Sequence, residues 1–117
     1  MEFGYVMVFV TDVQQAKQFY QDILELPLIH EEPNRLVFSM GPQKLVLFQA
    51  DKKTETGDYS NEARTVLVFH VGDVHNTFAK LQEKGVQFLH TKPTEARYAA
   101  FTDPFGNVHE IAEKSNE

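Results

Sequence analysis

The chain contains no cysteine and no tryptophan among its 117 residues. The absence of cysteine excludes a disulfide framework, thiolate zinc sites and cysteine catalysis. It also fits a reducing compartment, so we expect a cytoplasmic protein. No apolar run approaches the roughly 18 residues that a membrane helix needs. The first residues have neither the basic stretch nor the apolar run of a signal peptide, so we expect no membrane partner.

Basic residues are outnumbered, with 11 Lys and Arg against 17 Asp and Glu, which gives a net charge of −6. The basic residues are also scattered, and we therefore expect no nucleic-acid partner. An acidic surface would attract a cationic ligand, although most acidic proteins are acidic only for solubility. The length suits one ordinary domain. Its 10 Phe and 4 Tyr supply a generous aromatic core.

An internal repeat is the most informative feature of the sequence. Residues 5–13 and residues 66–74 both read as an apolar strand, a short turn with an aspartate, and the start of a helical pattern. The spacing predicts helices over residues 13–24 and 74–84, with apolar side chains every three or four positions. Asp12 and Asp73 are expected to cap these helices, and Gly85 to end the second.

Three strand patterns follow each predicted helix, separated by turn residues. They cover residues 28–31, 36–40 and 44–50 in the first copy, and 86–90, 98–102 and 108–113 in the second. The polar segment 51–62, which includes Tyr59, reads as a linker or a lid. We therefore expect a single domain over residues 1–117, with one module over about 1–50 and the other over about 63–114.

The duplicated pattern resembles the vicinal oxygen chelate superfamily, which comprises glyoxalases, bleomycin-resistance proteins and dioxygenases. The resemblance rests on the strand–Asp–helix unit, on Phe19-Tyr20 and Leu24 late in the first helix, and on the turn 103–107 before a strand that contains Glu110. It implies an α+β fold in which two βαβββ modules form an open, curved mixed sheet around a cavity, with the helices outside.

The resemblance also implies four positions for metal ligands, one on the first and one on the last strand of each module. Carried onto this sequence they are Tyr5, Val46, Val66 and Glu110, where Val46 is subject to a slip of one residue. Valine cannot coordinate a metal, and neutral tyrosine is a rare ligand. One carboxylate does not hold a catalytic divalent ion, so we expect no metal and no cofactor.

Strand alternation divides the side chains between the cavity and the helices. The predicted ligand-binding residues on the cavity side are Tyr5, Met7, Phe9, Phe48, His70, Tyr98 and Glu110. Lys44 and Val68 share that side. Val8, Val10, Leu67, Phe69 and Val71 are predicted to face the helices. The cavity residues could alternatively fill space as ordinary core.

The histidines receive different interpretations. His70 could bind a ligand, act as a general base, or only donate to Glu110. His109 is predicted to face the helix layer in a structural role. His30, His75 and His90 are expected at the surface, and Arg97 is expected at the surface although it could reach an anionic ligand.

We expect a metal-free small-molecule binding protein that resembles the bleomycin-resistance branch, without an assigned catalytic residue. The branch implies a homodimer. An alternative is a glyoxalase- or dioxygenase-like enzyme with an atypical or displaced metal site, and a third is a partner-binding subunit with a collapsed cavity. The sequence leaves open the ligand and whether the modules pair within one chain or between chains.

Overall fold

A computed structural model describes residue 1 and residues 3–51 and 65–114. The chain forms two compact units, over residues 1–54 and 55–117. Tyr59 and most of the predicted linker lie outside the described residues. Within the described part of the chain, no helix has the length and apolar character needed to cross a membrane.

The first unit has the element order strand, helix and three strands. Its elements are β1 (Val6–Val10), α1 (Val13–Lys17) continued by a π-helical turn (Gln18–Ile23), β2 (Leu28–Glu32), β3 (Arg35–Met40) and β4 (Gln43–Gln49). The sheet order is β1-β4-β3-β2. Strand β1 runs parallel to β4, whereas the other neighbours are antiparallel. Helix α1 packs on β3 and β4.

The second unit repeats this order. It consists of β5 (Leu67–Val71), α2 (Val74–Glu83), β6 (Gln87–Phe88), β7 (Tyr98–Thr102) and β8 (Val108–Glu113). The sheet order is β5-β8-β7-β6, again with a parallel first pair. Helix α2 packs on β7 and β8. The predicted α+β class and the two βαβββ modules with open mixed sheets are therefore confirmed.

Both predicted helix caps are present. Asp12 has an extended backbone and its Oδ1 accepts from the amide of Gln15 at 3.1 Å. Asp73 does the same for the amide of Asn76, also at 3.1 Å. Each carboxylate satisfies an amide that has no partner within the helix. Gly85 follows the second helix with φ +91°, a conformation that favours glycine.

The first helix departs from prediction in its second half. Instead of continuing as an α-helix to Leu24, the chain makes a π-helical turn, in which the Leu24 amide donates to the Phe19 carbonyl at 2.9 Å. The wider turn buries two consecutive aromatic rings, Phe19 and Tyr20. Tyr20 then contacts Phe38 on the sheet, with 6.1 Å between ring centroids. A period of 3.6 residues does not predict this turn.

Side-chain alternation in β1 and β5 follows the expected pattern. Val10 is fully buried on the helix side, whereas Met7 and Phe9 are 41% and 55% exposed on the other side. In the second unit Phe69 contacts Phe101 and His109 beneath α2. The predicted division between helix-facing and opposite-facing side chains is therefore confirmed in each sheet, because a slip of one residue would exchange the two sets.

His109 is a buried member of this aromatic layer and is 1% exposed. Its ring meets those of Phe69 and Phe101 at 5.7 and 5.6 Å between centroids. Burial lowers its pKa from 6.5 to about 4, against the opposing attraction of the Asp103 carboxylate. The predicted structural role of His109 agrees with this position.

The buried Asp103 organises the turn before β8. Its Oδ1 accepts from the amides of Phe105 and Asn107 at 2.9 and 2.8 Å, and its Oδ2 accepts from the Asn107 side chain at 2.8 Å. Gly106 adopts φ +89° in the same turn. These bonds fix where β8 begins, and so they fix which of its side chains face the helix.

Burial of neutral His109 predicts a pH-dependent stability. Because the folded pKa is depressed, the stabilisation is complete above pH 6.5 and is lost as pH falls toward about 4. The shift corresponds to a loss on the order of 3 kcal/mol. Urea unfolding at several pH values should show that His109→Phe, which keeps a ring but cannot titrate, lowers the slope of stability against pH over this range.

His75 provides the control, since it is exposed on the first turn of α2. The variant His75→Phe should leave the slope unchanged. An equal slope in the wild type and in His109→Phe would contradict the assignment.

Candidate functional site

The candidate site is the face of the second sheet that lies opposite α2. The register places His70 beside Ala112, and Ala112 beside Tyr98. In the next row on this face, Val68 lies beside Glu110, and Glu110 beside Ala100. Directly paired residues point to the same side of a sheet. The three predicted polar residues of this unit, His70, Tyr98 and Glu110, are therefore brought together on one face.

Alanine at the central positions shapes this face. Neighbouring strands lie about 4.8 Å apart, so His70 and Tyr98 stand about 10 Å apart at the backbone with only the Ala112 methyl group between them. Ala100, which pairs with Glu110 on the same face, is fully buried. The Ala112 methyl group therefore has an imidazole on one side and a phenol on the other.

Accessibility differs among these residues. His70 is exposed, whereas Tyr98 and Glu110 are half-buried. Val68 is 50% exposed beside Glu110. This face can therefore accept hydrogen bonds through Glu110, exchange a proton at His70 and offer apolar contact to a ring.

The corresponding face of the first sheet is apolar. Met7 lies beside Val46 and Phe9 beside Phe48. The rings of Phe9 and Phe48 meet edge to face, with 6.4 Å between centroids. Tyr5 precedes β1 and is 50% exposed. Of the predicted ligand-binding residues of this unit, Met7, Phe9 and Phe48 thus belong to one apolar side, and Tyr5 lies just before the paired strand.

Polar side chains surround that apolar side. Lys44 and Ser39 are paired on it, and Arg35 pairs with Phe48. Glu32 accepts from Arg35 at 3.1 Å and lies 3.4 Å from the imidazole of His30. These groups are largely at the surface, in agreement with the expectation for His30. It remains a prediction that the ligand-binding residues of the first and second units contact one ligand and line one cavity.

The metal-ligand positions implied by the resemblance can be compared through the register. Met7 pairs with Val46 as Val68 pairs with Glu110, and Met7 and Val68 each lie five residues before a capping aspartate. Val46 is therefore the counterpart of Glu110, and no slip is needed. A valine at two of the four positions leaves no donor set for a divalent ion. No cluster of three or more metal-binding side chains occurs among the described residues.

His90 occupies a different place from the one predicted. We expected it at the surface on a strand over residues 86–90, but β6 ends at Phe88 and His90 is half-buried. Its Nδ1 accepts from the amide of Ala100 at 3.0 Å. Its ring meets that of Tyr98 at 5.6 Å, nearly perpendicular at 82°. An imidazole that replaces a backbone acceptor has no signal in hydrophobic periodicity.

Arg97 and Glu113 form a structural pair that the sequence did not indicate. Arg97 has φ +63° and donates to the carboxylate of Glu113 at 3.1 Å. The same carboxylate accepts from the amide of Val74, the first residue of α2, at 3.0 Å. Glu113 therefore caps α2 from β8, and it is a polar residue on the helix-facing side. Arg97 is engaged at the surface, as expected.

Known proteins resemble this chain over nearly its whole length. A curated relative, the uncharacterized protein YraH of Bacillus subtilis, is 31% identical over 122 residues, which cover 91% of this chain and 93% of that protein. Among solved structures, the fosfomycin resistance protein FosX of Listeria monocytogenes matches with a TM-score of 0.79 at 15% identity, over 99% and 95% of the two chains. FosX has also been crystallised with Mn(II) and sulfate.

A lactoylglutathione lyase from Agrobacterium tumefaciens matches with a TM-score of 0.70 at 18% identity, over 96% of this chain and 92% of the lyase. At such identities these structures show the shared fold. The model of the glyoxalase/bleomycin resistance protein/dioxygenase superfamily matches residues 2–111. Together with the two βαβββ units and their register, this match shows that the chain belongs to the glyoxalase/bleomycin resistance protein/dioxygenase superfamily.

Proposed function

We propose that this protein is a metal-free small-molecule binding protein of the superfamily, similar to its bleomycin-resistance branch. The ligand would contact Tyr5, Met7, Phe9, Phe48, His70, Tyr98 and Glu110. One observation carries the proposal: a half-buried carboxylate, Glu110, lies on the same sheet face as Ala112, which a phenol and an imidazole flank, while its counterpart Val46 cannot ligate a metal. Apolar surfaces with a few placed polar groups are typical of small-molecule sites.

The composition of the face supports a ligand with a ring and a hydrogen-bond donor. The ring would lie on the methyl group of Ala112, and the donor would reach the Glu110 carboxylate. Tyr98 and His70 can accept or donate according to the ligand. The net charge of −6 is compatible with a ligand that carries positive charge.

The exposed apolar side chains support a further part of the proposal, a C₂ homodimer. Met7, Phe9, Val68 and Ile29 are 41–55% exposed in the single chain. Large exposed apolar areas are typical of interaction surfaces, and C₂ is the commonest closed symmetry.

The alternative, a glyoxalase- or dioxygenase-like enzyme, requires a metal or direct chemistry by His70 and Glu110. We expect the purified protein to contain no stoichiometric Zn, Ni, Mn or Fe, because Val46 and Val66 supply no ligand atoms. Elemental analysis after dialysis measures this directly. About one metal ion per chain, removed by a chelator with loss of stability, would favour the enzyme.

A thermal-shift screen of small aromatic and amine-containing compounds tests binding. A ligand present at one hundred times its Kd should add about 2.7 kcal/mol of stability. With the compound that stabilises most, His70→Ala and Glu110→Gln should each weaken binding about tenfold or more, since hydrogen bonds to charged groups contribute about 1.5–3 kcal/mol. His70→Ala should cost little stability because His70 is exposed.

His75→Ala is the matched control, since this histidine is exposed on α2, which covers the other side of the sheet. Unchanged affinity in both site variants would rule out the proposed face. A loss of about 1–3 kcal/mol of stability in ligand-free His70→Ala would instead indicate a structural histidine with a buried partner.

A further inference from the structure

The end of β6 carries an unusual hydrogen-bonding arrangement. The amide of Leu89 donates to the carbonyl of Ala100 at 2.8 Å, as in a regular antiparallel pair. The amide of Ala100 donates to Nδ1 of His90 at 3.0 Å. In a regular pair that amide would donate to a backbone carbonyl of the neighbouring strand. Here an imidazole takes the carbonyl's place, and β6 ends at Phe88.

This bond determines which tautomer the neutral ring of His90 adopts. A nitrogen that accepts from an N–H group carries no proton, so in the neutral ring the proton is on Nε2. Protonation of Nδ1 would set two N–H groups against each other. Ala100 is fully buried, so its amide would lose an acceptor away from water, which is costly.

The same imidazole contacts the candidate site in two ways. Its ring meets the Tyr98 ring at 5.6 Å and 82°, an edge-to-face contact. Its nitrogen holds the backbone of Ala100, the residue paired with Glu110. His90 therefore touches a predicted ligand residue and also supports the strand position beside the carboxylate.

We infer that His90 is a positioning residue of this site. Its neutral imidazole holds the ring of Tyr98 in place and completes the β6–β7 hydrogen bonding beside Glu110, so protonation of His90 reorients Tyr98. The inference relies on the proposed function only in treating Tyr98 as a ligand contact. The titratable groups on this face of the packed strands are Tyr98 on β7, Glu110 on β8 and His70 on β5, whereas His109 and Glu113 of β8 face the helix side. Lys92 follows in the connecting segment.

The experiment uses the full ligand-free chain labelled with ¹⁵N-histidine and 3-fluorotyrosine. The fluorine spectrum contains signals from 4 tyrosines, and Tyr98→Phe identifies that of Tyr98. At neutral pH we expect His90 Nδ1 to be unprotonated and Nε2 protonated. As pH falls, the Tyr98 signal should shift with the midpoint at which His90 itself becomes protonated.

Two substitutions separate the ring from the acceptor. His90→Asn supplies a side-chain oxygen that can accept from the Ala100 amide, so the strand is retained while the pH-dependent shift of Tyr98 disappears. His90→Phe keeps a ring without an acceptor. In His90→Phe, exchange of the Ala100 amide with solvent should accelerate about fivefold, since an ordinary hydrogen bond contributes about 1 kcal/mol.

Three outcomes would overturn the inference. The first is a proton on His90 Nδ1 at neutral pH. The second is a Tyr98 shift that persists in His90→Asn but vanishes in Glu110→Gln or His70→Gln, which would assign it to those groups. The third is equal Ala100 exchange in the wild type and His90→Phe. If His90→Phe does not fold, the His90 tautomer in the wild type and the Tyr98 shift in His90→Asn still test the inference. None of these measurements requires a ligand, so a failed ligand screen would count against the proposed function alone.

Discussion

Each helix covers one face of one four-stranded sheet, and the composition of the opposite face depends on this burial. Successive side chains of a strand point to opposite faces of the sheet. Val10, Phe69 and Ile111 face the helices, so their neighbours Phe9, His70 and Glu110 face the other side. The capping aspartates Asp12 and Asp73 fix where each helix starts after its strand. The Asp103 turn fixes where β8 starts.

The two units use the same backbone for faces of different chemistry. Where the first sheet has Met7, Val46 and Phe48, the second has Val68, Glu110 and Ala112 at the corresponding register positions. Ala112 holds the position that Phe48 holds in the first sheet, and its small side chain leaves space beside Tyr98. Glu110 holds the position of Val46, so the second sheet has a carboxylate where the first has an aliphatic side chain. The first face can supply mainly apolar contact, whereas the second can also make directional hydrogen bonds. This difference is the physical basis of the proposed ligand site.

Periodicity and capping residues were sufficient to predict both modules and the element order. They failed where a side chain substitutes for the backbone or where the helical period changes. The π-helical turn allows two adjacent aromatic rings, those of Phe19 and Tyr20, to be buried together. Imidazole replaces a carbonyl at His90, and Glu113 caps α2 from a distant strand. These arrangements depend on tertiary contacts between residues far apart in sequence, so local patterns carry no sign of them.

The central claim is that a ligand rests on the methyl group of Ala112 between His70 and Tyr98. Methyl NMR of ¹³C-alanine-labelled protein, with the most stabilising compound of the screen, tests it most directly. The account predicts that the methyl signal of Ala112 shifts on binding, while those of Ala99 and Ala16, which face the helix layers, do not. A stabilising ligand that leaves Ala112 unshifted, or that shifts Ala99 and Ala16 equally, would contradict the account.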